Sequence, residues 1–316
     1  MRKFLDRWML PGAIVLGFSL YMLYHLTPAL HVWGYWLHPL VSEGQRLVIA
    51  LLLFFQFVKT SPHDLKLSRW HVWALLVQVL SFLGLAALVL CTQGSLKMLL
   101  ECAMLCMICP TASAAGVITD RLGGNLAATV TYLALINVAA TFLIPLVIPV
   151  INPSATLGFW AYVGHLAWKV FPVLILPALL AWLIRYTTHG LQRKLMRWSP
   201  NSFYIWGIGL TLAIILAARA LLLSDLGLWT VGGIVLVSIF CCFIQFFIGR
   251  KLGKDYVSSI TAGQTLGQKN TGFLIWLGYN YLTPVTSVAG GLYAVWQNLF
   301  NSWELYQKAH DNYSAG

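Results

Sequence analysis

At 316 residues, 59% hydrophobic and 9% charged, with a mean hydropathy of +0.77, the chain falls outside the ordinary soluble domains, in which about 25% of residues are charged. Its net charge of +11 does not point to nucleic acid, because the basic residues are scattered over short inter-segment stretches instead of gathering on one face. Apolar stretches of about 20 residues recur, each long enough to cross roughly 30 Å of hydrocarbon as a helix, and the alternating strands of a membrane β-barrel are missing. The chain reads as an all-α integral membrane protein in contact with the lipid bilayer.

The amino-terminal segment 1–8 is positive and leads into an apolar run too long for the core of a signal peptide, so it is expected to remain as the first helix. Ten spans are predicted, over 9–28, 45–60, 70–91, 96–119, 124–150, 158–185, 203–223, 228–250, 256–280 and 283–306. Cytoplasmic loops carry the Lys/Arg excess. With the amino terminus inside, the inside segments collect Arg2, Lys3, Arg7, Lys59, Lys66, Arg69, Arg121, Arg185, Arg193, Lys194, Arg197, Arg250, Lys251, Lys254 and Lys308, which is 15 of the 20 basic residues. Both termini are therefore expected in the cytoplasm, in a multi-pass protein of a cell membrane, the bacterial inner membrane by expectation. Segment 28–44, with Trp33, Tyr35, Trp36, His31 and His38, reads as an aromatic belt at the outer interface. The six cysteines lie in or beside apolar runs without zinc-ligand spacing and read as reduced packing residues. No metal site and no cofactor is expected.

Two spans are interrupted. In the fourth, Cys109-Pro110-Thr111-Ala112-Ser113 removes a helix hydrogen bond at the proline and supplies hydroxyls for the freed backbone groups. In the ninth the interruption is Gly267-Gln268-Lys269-Asn270. Non-helical backbone at membrane depth is tolerated only where protein or a water-filled cavity covers it, so such breaks mark binding sites. Lys269 adds to this, since a lysine at the centre of a spanning helix costs about 2.5–3.5 kcal/mol on insertion scales. Each break lies near the end of its half of the chain and is followed by one more span. Five spans per half, an odd number, means that residues 1–153 and 154–316 enter the membrane from opposite sides, as in an inverted repeat whose broken helices meet at the midplane.

The chain resembles the bile acid:sodium symporter family. Thr60-Ser61-Pro62-His63-Asp64-Leu65 is similar to that family's turn after the second span, and Cys109-Pro110 with Gly124-Asn125 resembles its first crossing helix and the start of the next span. Asn270-Thr271-Gly272 with Pro284 resembles the second crossing helix and its exit, and the run from Gly291 to Asn298 the last helix. The resemblance implies a panel domain (spans 1, 2, 6 and 7), a core domain (spans 3–5 and 8–10), and alternating access to a small or amphipathic organic anion held beside the crossing. Pro110, Thr111, Ser113, Asn270 and Thr271 are the expected substrate contacts, with Gln297 and Asn298, which read equally as helix-helix hydrogen-bonding residues.

The chain departs from the family at the sodium sites that the resemblance would imply. Anchored on Asn270, the ninth-span carboxylate falls on Thr265 and the glutamine on Lys269; a one-residue shift gives Gln264 and Gln268, and the carboxylate is missing either way. The fourth-span Ser-Asn pair falls on Ala115 and Gly116, or on Ser113 and Ala114 with a gap, and the fifth-span hydroxyls on Thr129 and Leu133. Only Gln78 matches a sodium ligand. Two positive charges 4 Å apart repel by about 4 kcal/mol at an effective dielectric of 20, so Lys269 and a sodium ion do not share a pocket comfortably. Sodium is not expected to drive the protein. Lys269 is expected to stand in for the ion and reach helix-end carbonyls and hydroxyls, either loading a proton during the cycle or propping the crossing as a fixed charge.

His165 and Lys169, four apart, share a face near an anion's possible path or snorkel outward. Asn137 reads as inter-helix glue, Trp160, Trp168 and Trp182 as lipid or packing surface, and Arg219 and Asp225 as interface charges. No His-Glu-x-x-His, paired intramembrane aspartates or Ser-His constellation argues for an enzyme. The alternatives left open are an anion sensor or degenerate carrier that does not transport, and a sodium symporter with a rearranged cation site.

Overall fold

The structure, a computed structural model, describes residues 2–224 and 226–314, with their side chains apart from those of 2–8, 10, 309 and 311–314; Asp225 thus lies outside the described residues. The described residues form helices α1 (Arg2–Leu26), α2 (Pro28–His31), α3 (Gly34–Lys59), α4 (Arg69–Leu90), α5 (Gly94–Ile108), α6 (Ala115–Arg121), α7 (Leu126–Ile151), α8 (Phe159–Leu174), α9 (Leu176–Thr187), α10 (His189–Trp198), α11 (Ser202–Leu222), α12 (Leu228–Leu252), α13 (Tyr256–Gly267), α14 (Thr271–Tyr281) and α15 (Thr286–Ser314). Among the described residues five helical stretches are long and apolar enough to cross a membrane: Gly34–Lys59, Arg69–Leu90, Leu126–Ile151, His189–Leu222 and Leu228–Leu252. The pair α8–α9, bent by 43°, makes a sixth if counted as one span.

α12 illustrates why these helices suit lipid. Its outer stripe Leu236, Phe240, Phe243 and Phe247 is exposed, while Ser238, Cys242, Gln245 and Gly249 are buried. A helix apolar nearly all round, with its few polar groups turned inward, has no face for water. One continuous apolar core runs from α3 and α4 through α5, α7 and α8 to α12–α15. The tightest contact is α12 on α13. A Cβ on Gly249 would lie 2.4 Å from the carbonyl oxygen of Ala262, so only glycine permits this approach of the two backbones. The turn between them is closed by Asp255, whose carboxylate accepts from the Ser258 N–H at 2.9 Å. That bond and the Ser258 hydroxyl hold the Asp255 carboxyl below the usual range.

Several expected boundaries move. Segment 28–44 is helical as α2 and the first turns of α3, so the second apolar helix begins at Gly34 and not near residue 45; its aromatic residues Trp33, Tyr35 and Trp36 stay exposed. The expected sixth span is bent at Ile175 because Pro172 and Pro177 each remove a backbone donor around it. The stretch before α11 contains a further helix, α10, with Leu191, Leu195 and Trp198 on one face and Arg193, Lys194 and Arg197 on the other, the distribution of a helix lying along an interface. α15 continues to Ser314, well past the expected end at 306.

Candidate functional site

The two interruptions meet. Between α5 and α6 the chain is extended at Cys109–Thr111, between α13 and α14 it is extended at Gln268–Asn270, and Thr111 and Lys269 form an antiparallel bridge. Ala112 N–H donates to the Gln268 carbonyl at 2.9 Å, and Asn270 N–H to the Pro110 carbonyl at 2.8 Å. Each break thus supplies the backbone partners that the other lost on leaving the helix, the condition for irregular chain inside apolar surroundings. Side chains complete the set. Thr111 Oγ1 donates to the Thr265 carbonyl at 2.7 Å, Gln78 Nε2 to the Cys109 carbonyl at 2.9 Å, and the Tyr293 hydroxyl to the Gly267 carbonyl at 2.8 Å. Gln297 grips Lys269 at both ends of its peptide unit, accepting from its N–H at 2.8 Å and donating to its carbonyl at 3.3 Å.

Lys269 is fully buried, with 0% exposure. Its Nζ has no hydrogen-bond partner among the described residues, and the titratable groups around it are the thiols of Cys109, Cys106, Cys241 and Cys242. The side chain is enclosed in the core with these thiols near it, and the carbonyls and hydroxyls expected around the ammonium are held by other groups. Thr265 Oγ1 donates to the Thr261 carbonyl at 2.5 Å and meets Thr129 Oγ1 at 3.3 Å; Thr129 Oγ1 in turn lies 3.3 Å from Thr119 Oγ1. Gln78, expected as a cation ligand, has its oxygen engaged by the Tyr132 hydroxyl at 2.7 Å.

A cavity of about 60 Å³ lies beside the crossing, with Gln268 and Lys269 in its wall. α3 contributes Gln45 and Ile49 and α11 Trp206 and Leu210, while Ser113, Asn270, Thr271, Gln297 and Asn298 face them from the two breaks and α15. The amino end of α14, where Asn270 Oδ1 accepts from the Phe273 N–H at 3.2 Å and the Thr271 N–H donates to the Lys269 carbonyl at 2.9 Å, forms part of the wall, a position whose helix dipole suits an anion. Gln45 is buried and its Oε1 has no partner among the described residues. Its amide rests on Gly272, where an added Cβ would come within 2.7 Å of Nε2. Of the expected substrate contacts, Pro110 and Thr111 do not line the cavity: both are buried in the bridge. Asn298 lines it while its own amide bonds back to the Ala294 carbonyl at 2.7 Å.

Sequence reasoning missed a carboxylate. Glu304 on α15, only 5% exposed, accepts from Arg250 Nε at 3.0 Å and from Gln264 Nε2, while Gln264 accepts from Gln268 Nε2. The signal was the spacing Gln297–Asn301–Glu304, which places three polar residues on one face of α15, all buried. Glu101 on α5 is likewise buried and accepts from the Thr283 N–H at 3.4 Å. Other expectations resolve simply. Lys169 pairs with Glu43 at 3.4 Å, Arg219 lies 5.8 Å over the Tyr279 ring, and Trp160 and Trp168 are exposed while Trp182 donates to the Thr60 carbonyl at 3.2 Å. Asn137 is buried, and its amide has no partner among the described residues, so it is not the expected inter-helix glue.

No family model matches the chain. Over 297 residues it is 23% identical to the "Uncharacterized sodium-dependent transporter YocS" of Bacillus subtilis (strain 168), a match covering 91% of this chain and 85% of that protein. The chain is a multi-pass membrane protein similar, over nearly its whole length, to a bacterial transporter.

Proposed function

We propose that the chain is a secondary transporter of a small organic anion, a divergent member of the bile acid:sodium symporter family, working by alternating access and without sodium. The observation that carries this reading is the mutual pairing of the two breaks around Thr111 and Lys269, with an internal cavity beside them. The ten-span inverted repeat, with halves 1–153 and 154–316, accounts for that pairing: α5–α6 and α13–α14 are the two crossing spans, α8–α9 is one bent span, and the cavity lies between the two breaks and α3 and α11, which with α1 and α8–α9 make the panel. Both termini then face the cytoplasm. Lys269 and Gln268, with Thr265 and Gln264 one turn earlier, occupy the coupling region, and the buried lysine supplies a fixed positive charge where a mobile cation would otherwise sit. Ser113, Asn270, Thr271, Gln297 and Asn298 contact the substrate. Pockets for drug-sized ligands are about 300–1,000 Å³, so a cavity of about 60 Å³ favours a small acid over a steroid conjugate.

A second reading, sodium coupling at a rearranged site, is favoured by the buried hydroxyls of Thr119, Thr129 and Thr265, which converge between α6, α7 and α13, and by the description of the Bacillus subtilis relative as sodium-dependent. Uptake into proteoliposomes of a labelled 2-oxo acid, a pantoate-like hydroxy acid and a steroid conjugate, with sodium and pH gradients imposed separately, separates the readings. Stimulation by inward sodium overturns the role given to Lys269, and stimulation by an acidic outside makes the proton the coupled ion. Binding of an acid without uptake makes the protein a sensor.

A further inference from the structure

We propose that Glu304 carries the coupled proton, as an intramembrane carboxylate brought to the crossing by α15 instead of α13; this rests on the transport reading above. The geometry has three parts. First, Glu304 is joined to the cavity by side-chain hydrogen bonds: its Oε2 accepts from Gln264 Nε2, and Gln264 Oε1 accepts from Gln268 Nε2. Gln268 lines the cavity, and its carbonyl holds the first break through Ala112 N–H at 2.9 Å. Second, the opposite carboxylate oxygen faces outward. Oε1 accepts from Arg250, whose Nε lies 3.0 Å away and whose side chain is 40% exposed. A buried carboxylate of 5% exposure thus has the interior on one side and, on the other, a part-exposed counter-charge in the last turn of α12, the two-sided access that a proton carrier needs. Third, a carboxylic acid needs an acceptor for its new O–H. Asn301, one turn back on the same face of α15, is buried with an Oδ1 that has no partner among the described residues.

The step balances as a proton transfer alone. A proton from solvent binds Glu304 Oε1, the ion pair with Arg250 opens, and the guanidinium turns to water. The site goes from neutral to one positive charge, which offsets one negative charge on the transported acid; moving a neutral combination through a low-dielectric region avoids the cost of carrying net charge. From α12, Arg250 is the charged group that faces Glu304, because Lys251 sits 4.6 Å over the Phe247 ring. α13 faces it with the uncharged Gln264, and on α15 itself Lys308 reaches toward Gly123. Lys269 is not among the groups that face Glu304: the titratable groups around it are cysteines.

The test uses the full chain in liposomes, with two readouts. In infrared difference spectra between alkaline and acidic buffer, ¹³C-glutamate labelling should move a protonated-carboxyl band that Glu304→Gln removes and Arg250→Gln displaces to higher pH. In uptake of a labelled 2-oxo acid, accumulation should rise by about tenfold per imposed pH unit, the limit for one coupled proton. Glu304→Gln should lose that response and Glu304→Asp recover it. Gradient-driven accumulation that persists in Glu304→Gln overturns the assignment, as does a carboxyl band that responds to sodium and not to pH. If no probe acid is taken up by the wild type, the transport reading fails and the infrared band alone decides whether Glu304 takes a proton. If Glu304→Gln does not fold, the wild-type band and its shift in Arg250→Gln remain decisive.

Discussion

Replacing Lys269 by methionine should make the protein more stable and inactive. Methionine nearly matches the lysine stem in length and volume, and volume-conserving swaps in a core cost little. What the substitution removes is an ammonium with 0% exposure and no hydrogen-bond partner among the described residues. Such a charge costs about 2.5–3.5 kcal/mol at a helix centre on insertion scales, so Lys269→Met should gain about 2–3 kcal/mol. At roughly 2 °C per kcal/mol for a chain of this size, the melting temperature should rise by about 4–6 °C. The assay follows from the composition: five of the six free cysteines are buried, so a thiol-reactive fluorophore reports unfolding in detergent. Uptake by the same variant in liposomes should be lost. A variant that melts at or below the wild-type temperature would show that the amine is held by bonds strong enough to offset its burial, and the reading of Lys269 as a retained, costly charge would then be wrong.

Thr265→Glu combined with Lys269→Gln places a carboxylate beside the buried Thr129 hydroxyl and replaces the ammonium by a neutral amide, and should create sodium binding measurable with radioactive sodium where the wild type shows none; no binding in the double variant argues against the alignment of α13 with a cation site. Thr111→Val strands the buried Thr265 carbonyl that Thr111 satisfies at 2.7 Å and should cost about 1–3 kcal/mol, read as a lower melting temperature. Gly267→Ala places a Cβ 2.3 Å from the Phe246 ring and should cost about 1–3 kcal/mol by overpacking. Gly84→Ala in α4 meets nothing within 4 Å and should stabilise by about 0.5–1 kcal/mol as a helix-interior glycine removed; equal melting shifts in these two variants would refute the close contact of α13 on α12.

Composition and local pattern carried much of this in advance. A 59% hydrophobic chain without alternating strands points to helices in lipid, because each helix satisfies its own backbone, and proline or glycine with polar neighbours inside an apolar run marks where that self-sufficiency fails, as at Pro110 and Lys269. Other outcomes depended on which helix lies against which. Nothing near Glu304 in the chain says that its carboxylate meets Gln264 and Arg250, since these contacts span 40 and 54 positions. The same holds for the Lys269 side chain. A buried lysine was legible from hydropathy, but that its amine lies near thiols of α5 and α12 with no carbonyl or hydroxyl bonded to it among the described residues depends on the bridge that pins its backbone to Thr111. Hydropathy is a property of each residue with its neighbours along the chain, whereas the partner of a buried polar atom is set by helices brought together from distant parts of it.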